Sequence, residues 1–177
     1  YYDNGKVAQS GRMKDGLEEG AFKSFYENGK PATIENYKNG EREGAFKFYY
    51  ENGQLAVEGG YRNDLEDGPF KSYYDNGKPR TIEDYKNGIR EGEFKSFYET
   101  GEVAAEGTFQ DDLENGVLKT YYPGKKLMSE GTFKNGLADG TFKSYYDNGQ
   151  LAGEGIYING EESGALKSYF ENGNISD

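Results

Sequence analysis

Small and aromatic residues alternate with other residues along short segments of the chain, and pairs such as Asn-Gly separate these segments. Between positions 44 and 50, for example, Phe46 and Phe48 alternate with Ala45 and Lys47. Alternation with a period of two is typical of β-strands that have two different faces. The pattern therefore predicts an all-β protein whose strands are joined by tight turns.

The pattern recurs with a 24-residue period, and pairs of adjacent aromatic residues mark it. The pairs are Tyr1-Tyr2, Phe25-Tyr26, Tyr49-Tyr50, Tyr73-Tyr74, Phe97-Tyr98, Tyr121-Tyr122, Tyr145-Tyr146 and Tyr169-Phe170. A fixed period of this length is the signature of repeat architectures, in which each unit contacts only its neighbours. We predict one repeat array over residues 1–177, with about seven units plus a partial one.

Each unit contains two turn pairs. An Asn-Gly pair between alternating runs indicates a two-residue hairpin loop, because both loop residues of a type I′ turn need positive φ. The first turns include Asn28-Gly29, Asn52-Gly53, Asn76-Gly77 and Asn148-Gly149, and the second turns include Asn39-Gly40, Asn87-Gly88, Asn135-Gly136 and Asn159-Gly160. Each unit is therefore predicted to form two antiparallel strands. Asp64, Asp112 and Tyr122-Pro123-Gly124-Lys125 are local turn variants.

A two-residue loop at Asn52-Gly53 fixes a cross-strand register. It places Tyr50 opposite Leu55, Tyr49 opposite Ala56, Lys47 opposite Glu58 and Phe46 opposite Gly59. Pairs of these kinds contribute roughly 0.2 to 1 kcal/mol each.

The same register sorts each unit into two faces. The face that we call the aromatic face carries Gly44, Phe46, Phe48, Tyr50, Leu55, Val57, Gly59 and Tyr61. The opposite face, which we call the polar face, carries Ala45, Lys47, Tyr49, Ala56, Glu58 and Arg62. Because glycine has no side chain, we expect Phe rings to lie on the backbone at Gly44 and Gly59.

Two units depart from this pattern. In segments 30–35 and 78–83 the Glu moves one place later and the Gly is lost. A one-residue bulge would restore Lys23 opposite Glu35 and Lys71 opposite Glu83, and we predict such bulges.

The amino-acid composition excludes several kinds of partner and catalytic site. The chain has 17 Tyr and 11 Phe but no Trp, and its net charge of -11 repels phosphate backbones, so nucleic acid is an unfavourable partner. Because the chain has no Cys and no His, Cys-His and Ser-His catalysis, zinc binding and disulfides are excluded.

No apolar stretch of the sequence approaches the length of about 20 residues that a transmembrane helix needs. The chain begins at Tyr1 within a repeat, and we expect that preceding residues were removed.

The acidic residues recur in phase with the repeat and stand beside the first turns at Glu27, Glu51, Asp75, Glu99 and Asp147. A catalytic carboxylate pair should break this repetition, so we predict no enzyme activity and no cofactor. Calcium binding is disfavoured, because equivalent acids in successive units lie roughly 10 Å apart. We interpret these acids as solvated turn residues.

Three kinds of run recur in the array, namely Phe25-Tyr26-Glu27-Asn28-Gly29, Tyr37-Lys38-Asn39-Gly40 and Glu58-Gly59-x-Tyr61. They resemble the bacterial variant of the MORN repeat, one branch of which is labelled as YwqK-type antitoxins. The resemblance implies an elongated, single-layer antiparallel meander of β-hairpins that acts as a protein-interaction or membrane-associated scaffold. For a bacterial protein of this kind we favour the cell surface or periplasm over the cytoplasm. Choline- or glucan-binding repeats look similar but rely on Trp, which this chain lacks.

We expect the aromatic face to bind another protein or peptide, since a single-layer sheet cannot cover both of its faces. The candidate residues are Tyr26, Phe46, Tyr50, Phe70, Tyr74, Phe94, Tyr98 and Tyr146. Internal stacking of these rings is the competing interpretation. Two alternative functions are head-to-tail self-association through the end strands, which would build fibres or a surface layer, and binding of cell-wall glycan.

Overall fold

A computed structural model describes residues 1–176, which contain strands and turns and no α-helix. The chain divides into two compact units, each of which contains several 24-residue repeats. From here on, the first unit is Tyr1–Ile89 and the second unit begins at Arg90. Both units are built from the same hairpins, as the 24-residue period predicts.

The strands of the first unit are β1 Gln9–Ser10, β2 Met13–Lys14, β3 Leu17–Glu18, β4 Gly20–Phe25, β5 Pro31–Lys38, β6 Glu41–Arg42, β7 Gly44–Tyr49, β8 Leu55–Arg62, β9 Leu65–Glu66, β10 Gly68–Tyr73 and β11 Pro79–Lys86. The short strand β12 (Ile89–Arg90) contains the unit boundary. The second unit continues with β13 Gly92–Phe97, β14 Val103–Gln110, β15 Leu113–Glu114, β16 Gly116–Tyr121, β17 Leu127–Lys134, β18 Leu137–Tyr145, β19 Leu151–Ile158, β20 Glu161–Glu162 and β21 Lys167–Ser168.

Long strands pair in chain order within each unit, and every pairing is antiparallel. In the first unit β4 pairs with β5, β5 with β7, β7 with β8, β8 with β10 and β10 with β11. In the second unit the order is β13, β14, β16, β17, β18, β19 and β21. The predicted all-β antiparallel meander of tandem hairpins is confirmed.

The second turns have the predicted two-residue geometry. Asn39 and Gly40 have φ of 53° and 86°, and Lys38 pairs with Glu41 across the loop. Asp64 keeps this geometry with φ of 65°, so the residue that replaces Gly changes the side chain and leaves the turn intact. Two positive φ values in succession are the mark of a type I′ turn.

The first turns differ from the prediction, because they are three-residue loops. At Asn52-Gly53 only the glycine has positive φ, of 93°. The Gly53 N–H donates to the Tyr50 carbonyl and the Tyr50 N–H donates to the Gln54 carbonyl, both at 2.8 Å. This is a type I turn followed by a bulged glycine. The Asn52 side chain favours it by accepting the Gln54 N–H at 2.8 Å.

This longer loop changes part of the predicted register. Lys47 lies opposite Glu58 and Phe46 opposite Gly59, as predicted. The predicted pairs of Tyr50 with Leu55 and Tyr49 with Ala56 are wrong, because Tyr49 lies opposite Leu55 and the register shifts between Phe48 and Tyr49. The shift compensates for the extra loop residue. Leu55 consequently lies on the polar face with Tyr49.

The predicted pairing of Lys23 with Glu35 and of Lys71 with Glu83 is also wrong. Lys23 lies opposite Ile34 and Phe22 opposite Glu35, and the same holds two repeats later for Lys71 with Ile82 and Phe70 with Glu83. Turns at both ends of the hairpin hold the backbone in the common register, so the sequence change exchanges side chains between faces. Ile34 thus lies on the polar face and Glu35 on the aromatic face.

Candidate binding faces

The aromatic face of the first unit contains a cluster around Phe46. The Phe46 ring centroid lies 4.8 Å from those of Phe48 and Tyr61 and 5.1 Å from that of Phe70, and Phe46 is only 2% exposed. Gly59 makes the contact across hairpins possible, because a Cβ there would lie 2.7 Å from the Phe70 ring and 2.8 Å from the Phe46 ring. Glycine is therefore required where rings of adjacent hairpins meet.

Rings in the second unit form smaller groups. Phe94 lies 4.6 Å from Phe109, and Phe142 lies 5.4 Å from Phe133 and 5.5 Å from Tyr157. Phe109 is 9% exposed, whereas Phe94 and Phe142 are half-buried. Of the candidate phenylalanines, Phe46 is thus buried by its neighbours, while Phe94, like Phe70 in the first unit, keeps part of its ring accessible.

The candidate tyrosines Tyr26, Tyr50, Tyr98 and Tyr146 recur at one repeat position, and each donates a hydrogen bond from its hydroxyl to a backbone carbonyl of the next repeat. Tyr50 donates to the Tyr73 carbonyl at 2.7 Å, and every such bond spans 23 residues. The others behave alike: Tyr26 donates to Tyr49, Tyr98 to Tyr121 and Tyr146 to Tyr169, at 2.5 to 2.7 Å. Tyr74 is half-buried, with the Arg80 guanidinium 5.9 Å from its ring centroid. These bonds occupy the hydroxyl groups of Tyr26, Tyr50, Tyr98 and Tyr146, whose side chains are half-buried.

The turn asparagines also connect successive repeats. Asn52 donates from its side-chain amide to the Asp75 carbonyl at 2.9 Å, and Asn28 donates to the Glu51 carbonyl at 3.1 Å. Asn148 donates to the Glu171 carbonyl at 3.3 Å. The first turns of adjacent hairpins are therefore linked side by side.

Sequence reasoning missed a row of hydroxyl groups on the aromatic face. Ser24 bonds with Thr33 at 2.8 Å, and the equivalent pairs Ser72 with Thr81 and Thr120 with Ser129 are both 2.7 Å apart. The recurrence of Ser or Thr two places after most of the Phe positions was the available signal. Hydroxyl groups beside half-buried rings give this face hydrogen-bonding capacity as well as apolar area.

The polar face carries a ladder of alternating charge. In the second unit consecutive strands contribute Lys95, Glu106, Lys119, Glu130, Lys143, Glu154 and Lys167, each directly opposite the next. Lys95 lies 3.1 Å from Glu106 and Lys167 lies 3.4 Å from Glu154. Exposed pairs of this kind contribute at most about 1 kcal/mol each.

Tyrosines on the polar face complete this ladder. Tyr73 donates its hydroxyl to Glu58 at 2.8 Å and Tyr121 donates to Glu106 at 2.6 Å. Burial and the bond to Glu58 raise the pKa of Tyr73 to about 12, and the bond to Glu106 together with burial raises the pKa of Tyr121 to about 12. Hydrogen bonds from Tyr121 and Lys95 lower the pKa of Glu106.

Arginines at the second turns form a further link that sequence reasoning missed. The Arg42 Nε lies 3.1 Å from Asp64 Oδ1, and its guanidinium carbon lies 4.0 Å from the Tyr61 ring centroid. Arg90 repeats both contacts with Asp112 and Phe109, at 3.2 and 4.0 Å. The signal was an Arg placed at the same distance before each non-glycine turn residue, as Arg42 stands before Asp64 and Arg90 before Asp112.

Successive hairpins, each running from one second turn to the following one, therefore share the same turns and many of the same contacts. The family model of the MORN repeat variant matches six consecutive segments, residues 18–39, 42–63, 66–87, 90–111, 114–135 and 138–159, which cover about three quarters of the chain. The chain belongs to the MORN repeat variant family. Each MORN segment has a first turn at its centre and ends within a second turn. No curated protein matches the chain in a sequence search.

MORN repeats are generally non-enzymatic scaffolds that bind proteins or membranes. Within residues 1–176 of this MORN array, no three acidic side chains come close enough to hold a metal ion. In the same residues, no helix is long and apolar enough to cross a bilayer.

Proposed function

We propose that this MORN array is a non-enzymatic scaffold that binds another protein or peptide through its aromatic face. The main support for the proposal is that most side chains on that face are incompletely buried. Among residues 1–176, the buried hydrophobic side chains are Phe46, Tyr61 and Phe109. The remaining rings are partly exposed, and partly exposed aromatic surface is typical of protein interfaces.

The contacts on the aromatic face suggest how a partner is held. Phe70 and Phe94 offer apolar ring surface, whereas the Tyr26 and Tyr50 hydroxyls are already bonded to the backbone. Ser24 and Thr33 add hydroxyl groups that can bond a peptide backbone. The rings would therefore supply most of the affinity and the hydroxyl row the orientation.

The proposal of a non-enzymatic role rests on residue chemistry. The chain has no His and no Cys, which removes the usual general base and thiol nucleophile. The carboxylates recur in repeat phase, and the shifted pKa of Glu106 is lowered, which disfavours a role as a general acid near neutral pH.

Adjacent residues on opposite faces provide a matched test. Phe94 lies on the aromatic face and Lys95 on the polar face of the same strand. We expect Phe94→Ser to reduce capture of partners from native lysate at least about tenfold, a change of about 1.4 kcal/mol in binding free energy. Lys95→Ser should leave capture within about twofold. Circular dichroism of both variants checks that the array remains folded. Equal capture by the two folded variants would refute the proposal.

A further inference from the structure

Four hairpins share an arrangement of Tyr, Glu and Lys on the polar face. A Tyr hydroxyl donates to a Glu of the preceding hairpin, and a Lys lies opposite that Glu on each neighbouring strand, as for Tyr121, Glu106, Lys95 and Lys119. The other Tyr-Glu pairs are Tyr73 with Glu58, Tyr145 with Glu130 and Tyr169 with Glu154, at 2.8 to 3.2 Å. The arrangement shows how this face holds a carboxylate.

At Ile34 the same arrangement lacks its carboxylate. Ile34 lies opposite Lys23 on one side and Lys47 on the other, and Tyr49 occupies the repeat position of the donating tyrosines. Within residues 1–176, the Lys23 ammonium and the Tyr49 hydroxyl have no hydrogen-bond or ion-pair partner. Lys47 lies 3.7 Å from Glu58, a distance longer than a good charge-assisted hydrogen bond.

We propose that the surface around Ile34 binds a carboxylate side chain from an extended acidic segment of a protein partner. Lys23, Lys47 and Tyr49 would donate to the carboxylate, and its aliphatic stem would cover the Ile34 side chain. This site lies on the face opposite Phe46 and Phe70, because side chains alternate along each strand. It is therefore separate from the aromatic face of the proposed function.

The net charge of -11 does not cancel the attraction at this site. The nearest turn acids in sequence, Glu27 and Glu51, follow Lys23 and Lys47 by four positions. Both acids lie in exposed turns beyond the ends of β4 and β7, whereas Lys23, Ile34 and Lys47 lie within strands. Glu58 lies 3.7 Å from Lys47 and offsets part of its charge, so the attraction at Ile34 comes mainly from Lys23 and in part from Lys47.

A depression beside Lys47 offers room for a neighbouring side chain of the same segment. It has a volume of about 470 Å³ and lies over Ala45, Gly60 and Pro69 on the polar face; Glu58 and Asp67 also line it, so it suits an uncharged side chain rather than a second carboxylate. Lys47 thus borders both the Ile34 surface and this depression.

The test uses the whole chain and an acetylated, amidated peptide of sequence Glu-Val-Glu-Val-Glu, with a Gln-Val-Gln-Val-Gln peptide as the neutral control. Titration is followed by NMR of isotope-labelled Ile methyl groups, since Ile156 and Ile158 report on the second unit. We expect the Glu peptide to shift the Ile34 methyl signal with little effect on Ile156, and the Gln peptide to bind at least about tenfold more weakly.

Reciprocal substitutions make the test sharper. Ile34→Glu supplies the missing carboxylate internally and should weaken binding of the Glu peptide at least about tenfold, whereas Ile34→Leu should leave it unchanged. Because both variants lose the Ile34 methyl signal, their binding is measured by isothermal titration calorimetry. Glu130→Ile vacates the equivalent place between Lys119 and Lys143 and should create a site in the second unit. Tyr49→Phe should weaken binding a few-fold.

Two results would overturn the inference. One is equal binding of the Glu and Gln peptides. The other is a higher melting temperature for Ile34→Glu with peptide binding unchanged, which would assign the exchange of Ile34 and Glu35 to stability alone. Because both results concern the polar face around residue 34, neither bears on partner capture by Phe94.

Discussion

Phe46 in the first unit and Phe142 in the second occupy the same repeat position and have different surroundings. Phe46 contacts three rings and is 2% exposed, whereas Phe142 contacts Phe133 and Tyr157 and remains half-buried. Tyr61 and Tyr157 are equivalent, so the tyrosine does not explain the difference.

The residue two places later explains part of it. Phe48 adds a ring beside Phe46, and its equivalent in the second unit is Ser144. In an array where each repeat contacts only its neighbours, one substitution can create or remove a local core without changing the backbone. Among the described residues, the first unit therefore buries the aromatic residues Phe46 and Tyr61 in one hairpin, whereas the second unit buries the aromatic residue Phe109 alone.

The largest expected effect is the loss of the buried ring itself. Phe46→Ala removes the centre of the cluster and should lower the free energy of unfolding by about 3–5 kcal/mol, whereas Phe142→Ala should cost about half as much because Phe142 is half-buried. Urea unfolding followed by circular dichroism measures both. Equal costs would contradict the contrast between the units.

The cluster also depends on close contact over Gly59. Gly59→Ala places a Cβ within 2.8 Å of the Phe46 and Phe70 rings and should destabilise the protein by about 1–3 kcal/mol. Gly153→Ala is the control, because a Cβ there would lie 3.3 Å from the Ser144 hydroxyl oxygen and 3.4 Å from the Lys167 carbonyl oxygen. This substitution should lower the free energy of unfolding by less than about 0.5 kcal/mol. A tolerated Gly59→Ala would show that the rings are not held against the backbone.

Exchanging one residue should make the two units more alike. Phe48→Ser should cost about 1–2 kcal/mol by exposing Phe46. Ser144→Phe should stabilise the second unit by up to about 1 kcal/mol through a new contact with Phe142. Thermal melting of the two variants checks the opposite signs, and shifts in the same direction would reject Phe48 as the cause.

Alkaline titration addresses the polar face and has the smallest expected effect. Burial and the bond to Glu58 raise the pKa of Tyr73 from 10.0 to about 12 in the folded chain, so the stability linked to the neutral hydroxyl is complete below pH 10 and is lost as the pH rises towards 12. Because the Tyr73 side chain is only partly buried and solvent screens the interaction, the loss should be below about 1 kcal/mol. Tyr73→Phe should reduce the slope of stability between pH 10 and 12 in denaturant titrations, while Tyr121 continues to contribute, and an unchanged slope would argue against the raised pKa of Tyr73.

Local features of the fold could be read from the sequence. The 24-residue period and the alternation predicted the antiparallel hairpins, and Asn39-Gly40 specified its turn because both residues need positive φ. Asn52-Gly53 fits both a two-residue and a three-residue loop. The choice depends on the bonds between Tyr50 and Gln54, which the dipeptide alone does not encode.

For the candidate site, the sequence predicted which face the rings lie on but not the contacts that their hydroxyl groups make. Alternation placed Phe46 and Phe70 on one face, but the role of the Tyr50 hydroxyl depends on where the next repeat puts the Tyr73 carbonyl. Matching Lys23 with Glu35 by charge also misled, since exposed ion pairs are too weak to shift a register that turns fix at both ends. Contacts between repeats were harder to predict than contacts within them, although the spacing of Arg42 and Asp64 was a signal for one of them.

Photo-crosslinking from the two faces tests the proposed function most directly. p-Benzoylphenylalanine is introduced in place of Phe94 in one sample and in place of Lys95 in another, and each is illuminated in native lysate. We predict that the probe on the aromatic face forms a covalent adduct with a partner protein, identified by mass spectrometry, and that the probe on the polar face does not. Adducts from position 95 alone, or equal adducts from both positions, would contradict partner binding through the aromatic face.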